Sequence, residues 1–289
     1  MPQQFPFEET LAKLDEIDVW LQGHGYKAHD RIRKYSKNIR QMLAFQASDN
    51  LHLLENISDE KRREIFWSYV EADEFVRAVE PLRSCIGDDV LASPIDKALG
   101  GPADLYLENQ KNSQGRNFMF ELVMGGRLAK AGITPSFDQG PDLQFHFNGM
   151  RVAMQCKRPF SRSGLEETIS KAISQLKIDN ADLSLIAISA SRLSNTGDPD
   201  AIPTVQDPRA GQAYVDARGR EIADESRRYW SEKLGRSGIF FYSFTPVRWL
   251  KEDGHFGHAT LRAETMCPVM TQDQNTKCIL VNLISAMKA

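Results

Sequence analysis

Long apolar runs are missing from this chain. No stretch approaches the roughly eighteen consecutive apolar residues that a membrane-spanning helix needs, so no membrane span is expected. The N-terminus, MPQQFPFEET, has neither a basic n-region nor an apolar h-region, and no secretory signal is expected there. Cysteine is sparse. Cys85, Cys156, Cys267 and Cys278 are scattered and form no CxxC pair. That excludes a cysteine zinc site or a disulfide framework and suits a reducing, cytoplasmic location. A surplus of positive charge is missing as well. Lys and Arg number 36 against 39 Asp and Glu, for a net charge of -3. A contact with a polyanion must therefore come from a local patch. There is no Walker loop, GxGxxG element or nucleophile elbow, so ATP use in cis is not expected. His255 and His258 have no ligand partner at finger spacing, and the glycines around them favour a turn.

What is present is the composition of a globular protein: 41% apolar and 26% charged residues over 289 positions. That length holds one large domain or two modest ones. The first hundred residues read as helical. Leu11, Leu14, Ile17 and Leu21 recur at helical spacing, as do Ile32, Tyr35, Ile39 and Met42, and Phe66, Tyr69, Val70 and Val76. Ser58 and Asp59 suit an N-cap. These stripes are read as seams of a small helical bundle. The basic run of Arg31, Arg33, Lys34, Lys37 and Arg40 is a solvated helix face or a nucleic-acid surface. Gly100-Gly101-Pro102 marks a boundary. It divides a helical domain, 1–100, from an α/β domain, 101–289.

Beyond the break, a helix is expected over about Ser113 to Ala131, closed by Gly132. Two alternating strands follow, joined by Asn148-Gly149, a strong hairpin signal. Leu143, Phe145 and Phe147 point one way, and Asp142, Gln144 and His146 the other. In the second strand Val152, Met154 and Cys156 oppose Arg151, Ala153, Gln155 and Lys157. A helix over about Leu165 to Ile178 comes next, then a buried strand from Leu183 to Ser189. Asn195 to Pro208 reads as an exposed loop. A helix from about Tyr214 to Leu234 and strands at Ile239 to Phe244 and Cys278 to Ile284 complete the pattern. The order points to an α/β fold with a mixed central sheet flanked by helices.

The hairpin and the helix before it carry the chemistry. Asp142 opens the first strand after Pro141. Gln155 and Lys157 are two apart on the second, so both side chains share one face. Glu121 lies on the preceding helix. Phosphodiester hydrolysis uses such a set: oxygen ligands hold a hard cation, the cation lowers the pKa of a bound water, and a lysine offsets charge on the phosphate.

At these residues the chain resembles the PD-(D/E)xK nuclease superfamily. Phe118-Met119-Phe120-Glu121 looks like its helix-borne acidic motif, Pro141-Asp142 like the PD element, and Gln155-Cys156-Lys157-Arg158 like the QxK variant of the Mrr-type restriction endonuclease catalytic domain. The resemblance covers about Ser113 to Ser191. It implies a restriction-endonuclease-like sheet and Mg²⁺ (or Mn²⁺) as cofactor. Asp142 would be the principal metal ligand, Gln155 would replace the second acidic ligand, and Lys157 would be the catalytic lysine. Glu121 and the backbone carbonyl of Cys156 would be accessory ligands. Gln155 departs from the commonest pattern by one negative charge.

Arg158, Arg162 and Lys171 are expected to contact the nucleic-acid backbone. Gln175 and His146 are weaker accessory candidates. The function expected is that of a metal-dependent DNA endonuclease in prokaryotic restriction or antiviral defence. A homodimer would supply two active sites, and the helical domain would bind a regulator, a partner protein or DNA. Two alternatives remain open: a catalytically silent nuclease fold that binds nucleic acid or protein, and an RNA-cleaving toxin.

Overall fold

The computed structural model describes residues 7–27, 29–47, 57–103, 107–109, 111–137, 140–177, 180–194, 202–230, 237–249, 261–269 and 273–288. Helices α1 (Phe7–Gly23), α2 (Asp30–Ala47), α3 (Asp59–Arg83) and α4 (Asp88–Leu99) form the first part. The expected stripes of α1 and α2 are buried seams: Leu14, Ile17, Leu21, Ile32, Tyr35, Ile39 and Met42 are all within 2% of complete burial. Ser58 caps α3, its hydroxyl accepting from the Lys61 N–H at 3.2 Å. A fourth helix, α4, was not among the sequence expectations. The basic run on α2 faces intramolecular partners. Arg33 pairs with Asp30, Lys34 with Glu64 and Arg40 with Asp15. Arg31 is buried and donates to the carbonyls of Ala98, Gly100 and Pro102. It thereby closes the end of α4, whose last carbonyls have no helical partner.

Helix α5 (Gln114–Lys130) and strands β1 (Leu143–Phe147) and β2 (Met150–Lys157) follow. Gly132, at φ +76°, ends α5 with the Ile133 N–H bonded to the Leu128 carbonyl. Asn148 (φ 52°) and Gly149 (φ 77°) both take the left-handed backbone of a tight hairpin turn, as Asn-Gly leads one to expect. Leu143 stands opposite Met154, and Phe145 opposite Val152.

A short 3-10 turn (Arg162–Gly164) leads into α6 (Leu165–Leu176). Then come β3 (Leu183–Ser189), a single turn α7 (Ser191–Ser194), β4 (Thr204–Val205), α8 (Pro208–Trp230), β5 (Ser237–Trp249), β6 (Leu261–Val269) and α9 (Gln274–Lys288). Residues 195–201, and both His255 and His258, lie outside the described residues. Strands β2, β3 and β5 are parallel neighbours, while β1 and β6 run antiparallel at the two sides. β4 adds a short parallel pair at the far end of β5. The sheet is therefore mixed, and the fold is α/β.

One expectation fails outright and another in part: within the expected loop from Asn195 to Pro208, Thr204–Val205 form β4 and Pro208 opens α8. Cys278 to Ile284 is not a strand but the middle of α9. Its buried positions, Ile279, Leu280, Leu283, Ile284 and Met287, recur at helical spacing. Asp273 accepts from the Thr276 N–H at 2.7 Å and starts the helix. The window from Cys278 to Ile284 is too short to show that period, and the apolar run Cys-Ile-Leu-Val mimics a buried strand. Strand β6 was not foreseen, and β5 runs past both ends of the expected segment.

Helices α3, α5 and α9 cover one sheet face, and α6 and α8 cover the other. One continuous apolar core joins Leu14 and Tyr69 of the first part to Leu122, Met154 and Phe240 of the second. Helix α3 is buried on nearly all sides because it sits between α2 and the sheet-covering α5. The Gly100–Pro102 turn thus joins two regions that share a core. Among the described residues, no helix is long and apolar enough to cross a membrane.

Candidate active site

The hairpin places three of the expected residues together. Asp142 sits one residue before β1, and the register makes Gln155 its neighbour on β2. Its carboxylate accepts from the Cys156 backbone N–H at 2.7 Å and from the Lys157 ammonium at 3.2 Å. Lys157 also donates to the Gln155 side-chain oxygen. Lys157 therefore bridges Asp142 and Gln155. Gln155 is almost fully buried, while Asp142 and Lys157 are each about one-fifth exposed.

The Cys156 thiol lies on the opposite, apolar face with Met154 and Val152. Burial, then the neighbouring Asp142 charge, pushes its pKa well above the usual thiol range, so it is an inert core residue. Its backbone is another matter. A residue in an antiparallel ladder presents its N–H and C=O to the same neighbour. The N–H reaches Asp142, so the Cys156 carbonyl is turned to that edge too.

Glu121 comes from α5, four residues past Asn117 in the helix and one turn beyond Phe118. Its pKa is pushed up to about 8, first by burial and then by the Asp142 charge; Lys157 and Lys97 oppose the shift. Glu121 and Asp142 thus feel one another as like charges in a poorly solvated place. A carboxyl perturbed in this way is a candidate functional group.

Lys97 was not anticipated. It lies in the last turn of α4, with its ammonium 5.6 Å above the Phe118 ring. It is exposed and makes no ion pair among the described residues. Nothing local in the sequence signals it, since it reaches the site from the other side of the Gly-Gly-Pro turn.

The fit to a divalent cation can be judged from the donors. Among the described residues, no three His, Cys, Asp or Glu side chains form a metal-ligating group. The set available is two carboxylates, Asp142 and Glu121, with two neutral oxygens, the Gln155 amide and the Cys156 carbonyl. Hard cations accept such all-oxygen sets and fill remaining positions with water. These oxygen donors are of the type that a Mg²⁺-like ion takes, and Lys157 is bonded to one of them, Asp142.

The expected nucleic-acid contacts are placed differently from one another. Arg158 is bound to Glu108, whose side chain is fully buried and also holds Arg192. Arg162 bridges to Glu221 and Glu225 on α8. Lys171 pairs with Glu167 on the exposed face of α6. His146 and Gln175 are exposed, on β1 and α6.

The chain matches no protein-family model, no curated protein and no solved structure.

Proposed function

We propose that the protein is a metal-dependent nuclease that hydrolyses phosphodiester bonds in DNA, with its active site at Asp142, Gln155, Lys157 and Glu121. The observation that carries this reading is the convergence itself. A carboxylate at the start of β1, an amide and an ammonium on β2, and a proton-retaining glutamate from α5 meet at one partly open edge. When bound, a divalent ion would supply charge on the phosphate and a water made acidic enough to attack near neutral pH.

The chain's own residues do the rest. Asp142, at the start of β1, and Glu121, on α5, would hold the ion. The Cys156 N–H holds the Asp142 carboxylate in orientation. Lys157 would face the phosphate oxygens and offset their developing charge. Gln155 offers a neutral oxygen and so leaves the site one negative charge short of a two-carboxylate hairpin. That favours one ion over two. Lys97 stands over the approach from α4 and would meet the phosphate backbone.

A role in prokaryotic restriction or antiviral defence follows from the likeness of Pro141-Asp142 and Gln155-Cys156-Lys157 to the Mrr-type motif, and is part of the same proposal. A catalytically silent binding module is the second reading. It is favoured by the missing charge at Gln155 and by the intramolecular pairing of Arg158, Arg162 and Lys171.

Incubation of the purified chain with supercoiled plasmid and Mg²⁺ separates the two. Cleavage is expected, and Asp142→Asn and Lys157→Ala should each abolish it while leaving the circular-dichroism spectrum unchanged. A wild-type chain that binds DNA without cutting it, with Mg²⁺ or Mn²⁺ and at any pH up to 9, would establish the silent module instead. Parallel single-stranded RNA and DNA substrates rank the remaining alternative.

A further inference from the structure

One buried acid beside the site has no part in the chemistry described so far. Glu108 lies in the segment between α4 and α5, and its side chain is fully buried. Both of its oxygens are occupied. Arg158 donates to them through its two terminal nitrogens, to Oε2 at 2.9 Å, and Arg192 donates to Oε2 at 2.8 Å. The Arg192 guanidinium also stands 4.0 Å from the centre of the Phe160 ring. One carboxylate thus joins the residue after β2, the loop beyond it and the turn after β3. A small turn presents it. The Asn109 N–H donates to the Asn112 side-chain oxygen at 2.7 Å, and the Asn112 amide donates to the Leu107 carbonyl at 3.2 Å.

We propose that Glu108 is a positioning residue for Lys157 and acts through Arg158. This role rests on the reading of Lys157 as the group that faces the phosphate. Three observations carry it. The first is place in the strand. Lys157 is the last residue of β2, and Lys157 opposite Ile188 is the last pair of its ladder with β3. Pro159, two residues on, has no N–H with which to extend that ladder. A strand end opens at low free energy unless something outside the ladder ties it. Lys157 nonetheless has to keep its ammonium within reach of Asp142 and Gln155.

The second is direction. Side chains alternate along a strand. Cys156 and Arg158 point to the face covered by α3 and α5, where Arg158 lines a cavity with Arg116 and Phe120. Lys157 leaves the backbone on the other side. Anchoring Arg158 on one face fixes the peptide from which Lys157 departs on the other.

The third is the kind of bond. A guanidinium that grips a carboxylate through two nitrogens is directional as well as charge-assisted. Out of water it is screened far less than a surface pair. Removing Glu108 would leave two guanidinium groups buried without their counter-charge. The fork of Arg158 is held by Glu108 and not turned to a nucleic-acid strand.

Steady-state cleavage of a DNA duplex with Mg²⁺ tests the role. Arg158→Gln leaves Glu108 paired with Arg192, so no buried carboxylate is stranded. Its kcat should fall about tenfold to a hundredfold at unchanged KM, the scale of a displaced reacting group. Glu108→Gln should lose the same factor, and the double variant no more, because the two residues act as one unit. Should Glu108→Gln not fold, Arg158→Gln decides alone. Leu21→Ala, a core truncation in the distant α1, should lower the thermal midpoint and keep kcat, which separates positioning from loss of stability. A raised KM at unchanged kcat in Arg158→Gln would make Arg158 a strand contact and overturn the proposal. Hydrogen exchange read by mass spectrometry needs no cleavage. In Arg158→Gln the peptide spanning Cys156 to Arg158 should exchange faster than in the wild type, with α1 and α2 unchanged. A wild type that cuts nothing defeats the nuclease reading and leaves hydrogen exchange to decide on Glu108; unchanged exchange at that peptide overturns the proposal.

Discussion

Glu121 is the residue whose protonation tells most about the site. Its pKa is about 8 in the folded chain, against about 4.5 for an exposed glutamate. The folded state therefore keeps a proton that the unfolded state loses as pH rises above 4.5. Stability from this group is fully present below that pH and is lost progressively up to about pH 8. Glu121→Gln, which is neutral throughout, should flatten the fall. Urea denaturation at a series of pH values should find the variant increasingly more stable than the wild type from pH 5 to 8. A parallel pair of curves would place Glu121 in ordinary solvent. The same proton competes with a metal ion. Mg²⁺ or Mn²⁺ affinity should rise by roughly tenfold per pH unit below about 8, one proton being released per ion bound. Calorimetry in buffers of different ionisation enthalpy counts that proton. A pH-independent affinity would remove Glu121 from the ligand set.

At the scale of elements, the site depends on how closely α5 meets α3. Gly126 has no room for a side chain: a Cβ there would lie 2.5 Å from the Ala78 backbone. Helices in contact through backbone atoms cannot relieve an added side chain by rotating it. Gly126→Val should cost about 1–3 kcal/mol, as overpacking of a close-packed interior does, read as a lower midpoint in urea. It should also shift Glu121, which shares that helix, and so reduce activity beyond the loss of stability. An unchanged midpoint would mean that the two helices are further apart than described. The hairpin is the other element that sets the site. Its turn residues, Asn148 and Gly149, fix the register that puts Asp142 beside Gln155. A slip of one residue would send Asp142 to the face opposite Lys157.

The whole molecule behaves as one packed body around two sheet faces. The apolar core runs from α1 through α3 and α5 to β2, β3 and α9. A buried ion pair ties the parts together. Arg116 of α5 binds Glu71 of α3 through two guanidinium nitrogens, with Tyr35 of α2 donating to the same carboxylate. Burial raises the Glu71 pKa, but Arg116 and Arg31 outweigh it and hold it down at about 2. This carboxylate remains ionised across the working pH range. Residues 101–289 expressed alone would leave the Arg116 guanidinium without Glu71 and the Gly126 face of α5 without Ala78 of α3. That fragment should show no cooperative thermal transition and should bind a hydrophobic dye, whereas the full chain should show one sharp transition. A fragment that melts cooperatively would make the first hundred residues an independent unit.

Much of this was readable in the linear sequence, for a physical reason. Helical stripes, the Ser58 cap, the Gly132 stop and the Asn148-Gly149 turn depend on contacts within a few residues, so their signals are local. The pairing of Asp142, Gln155 and Lys157 was readable too, because a two-residue turn fixes antiparallel register. Element type failed at α9, where seven apolar-rich residues carry no resolvable period. Only tertiary structure decided the rest. Burial of Arg31, the engagement of Arg158 and Arg192 by Glu108, and the approach of Lys97 to Glu121 all join residues far apart in the chain. Their energies depend on how much water each group loses and which charge replaces it, and neither quantity is written in the spacing of letters.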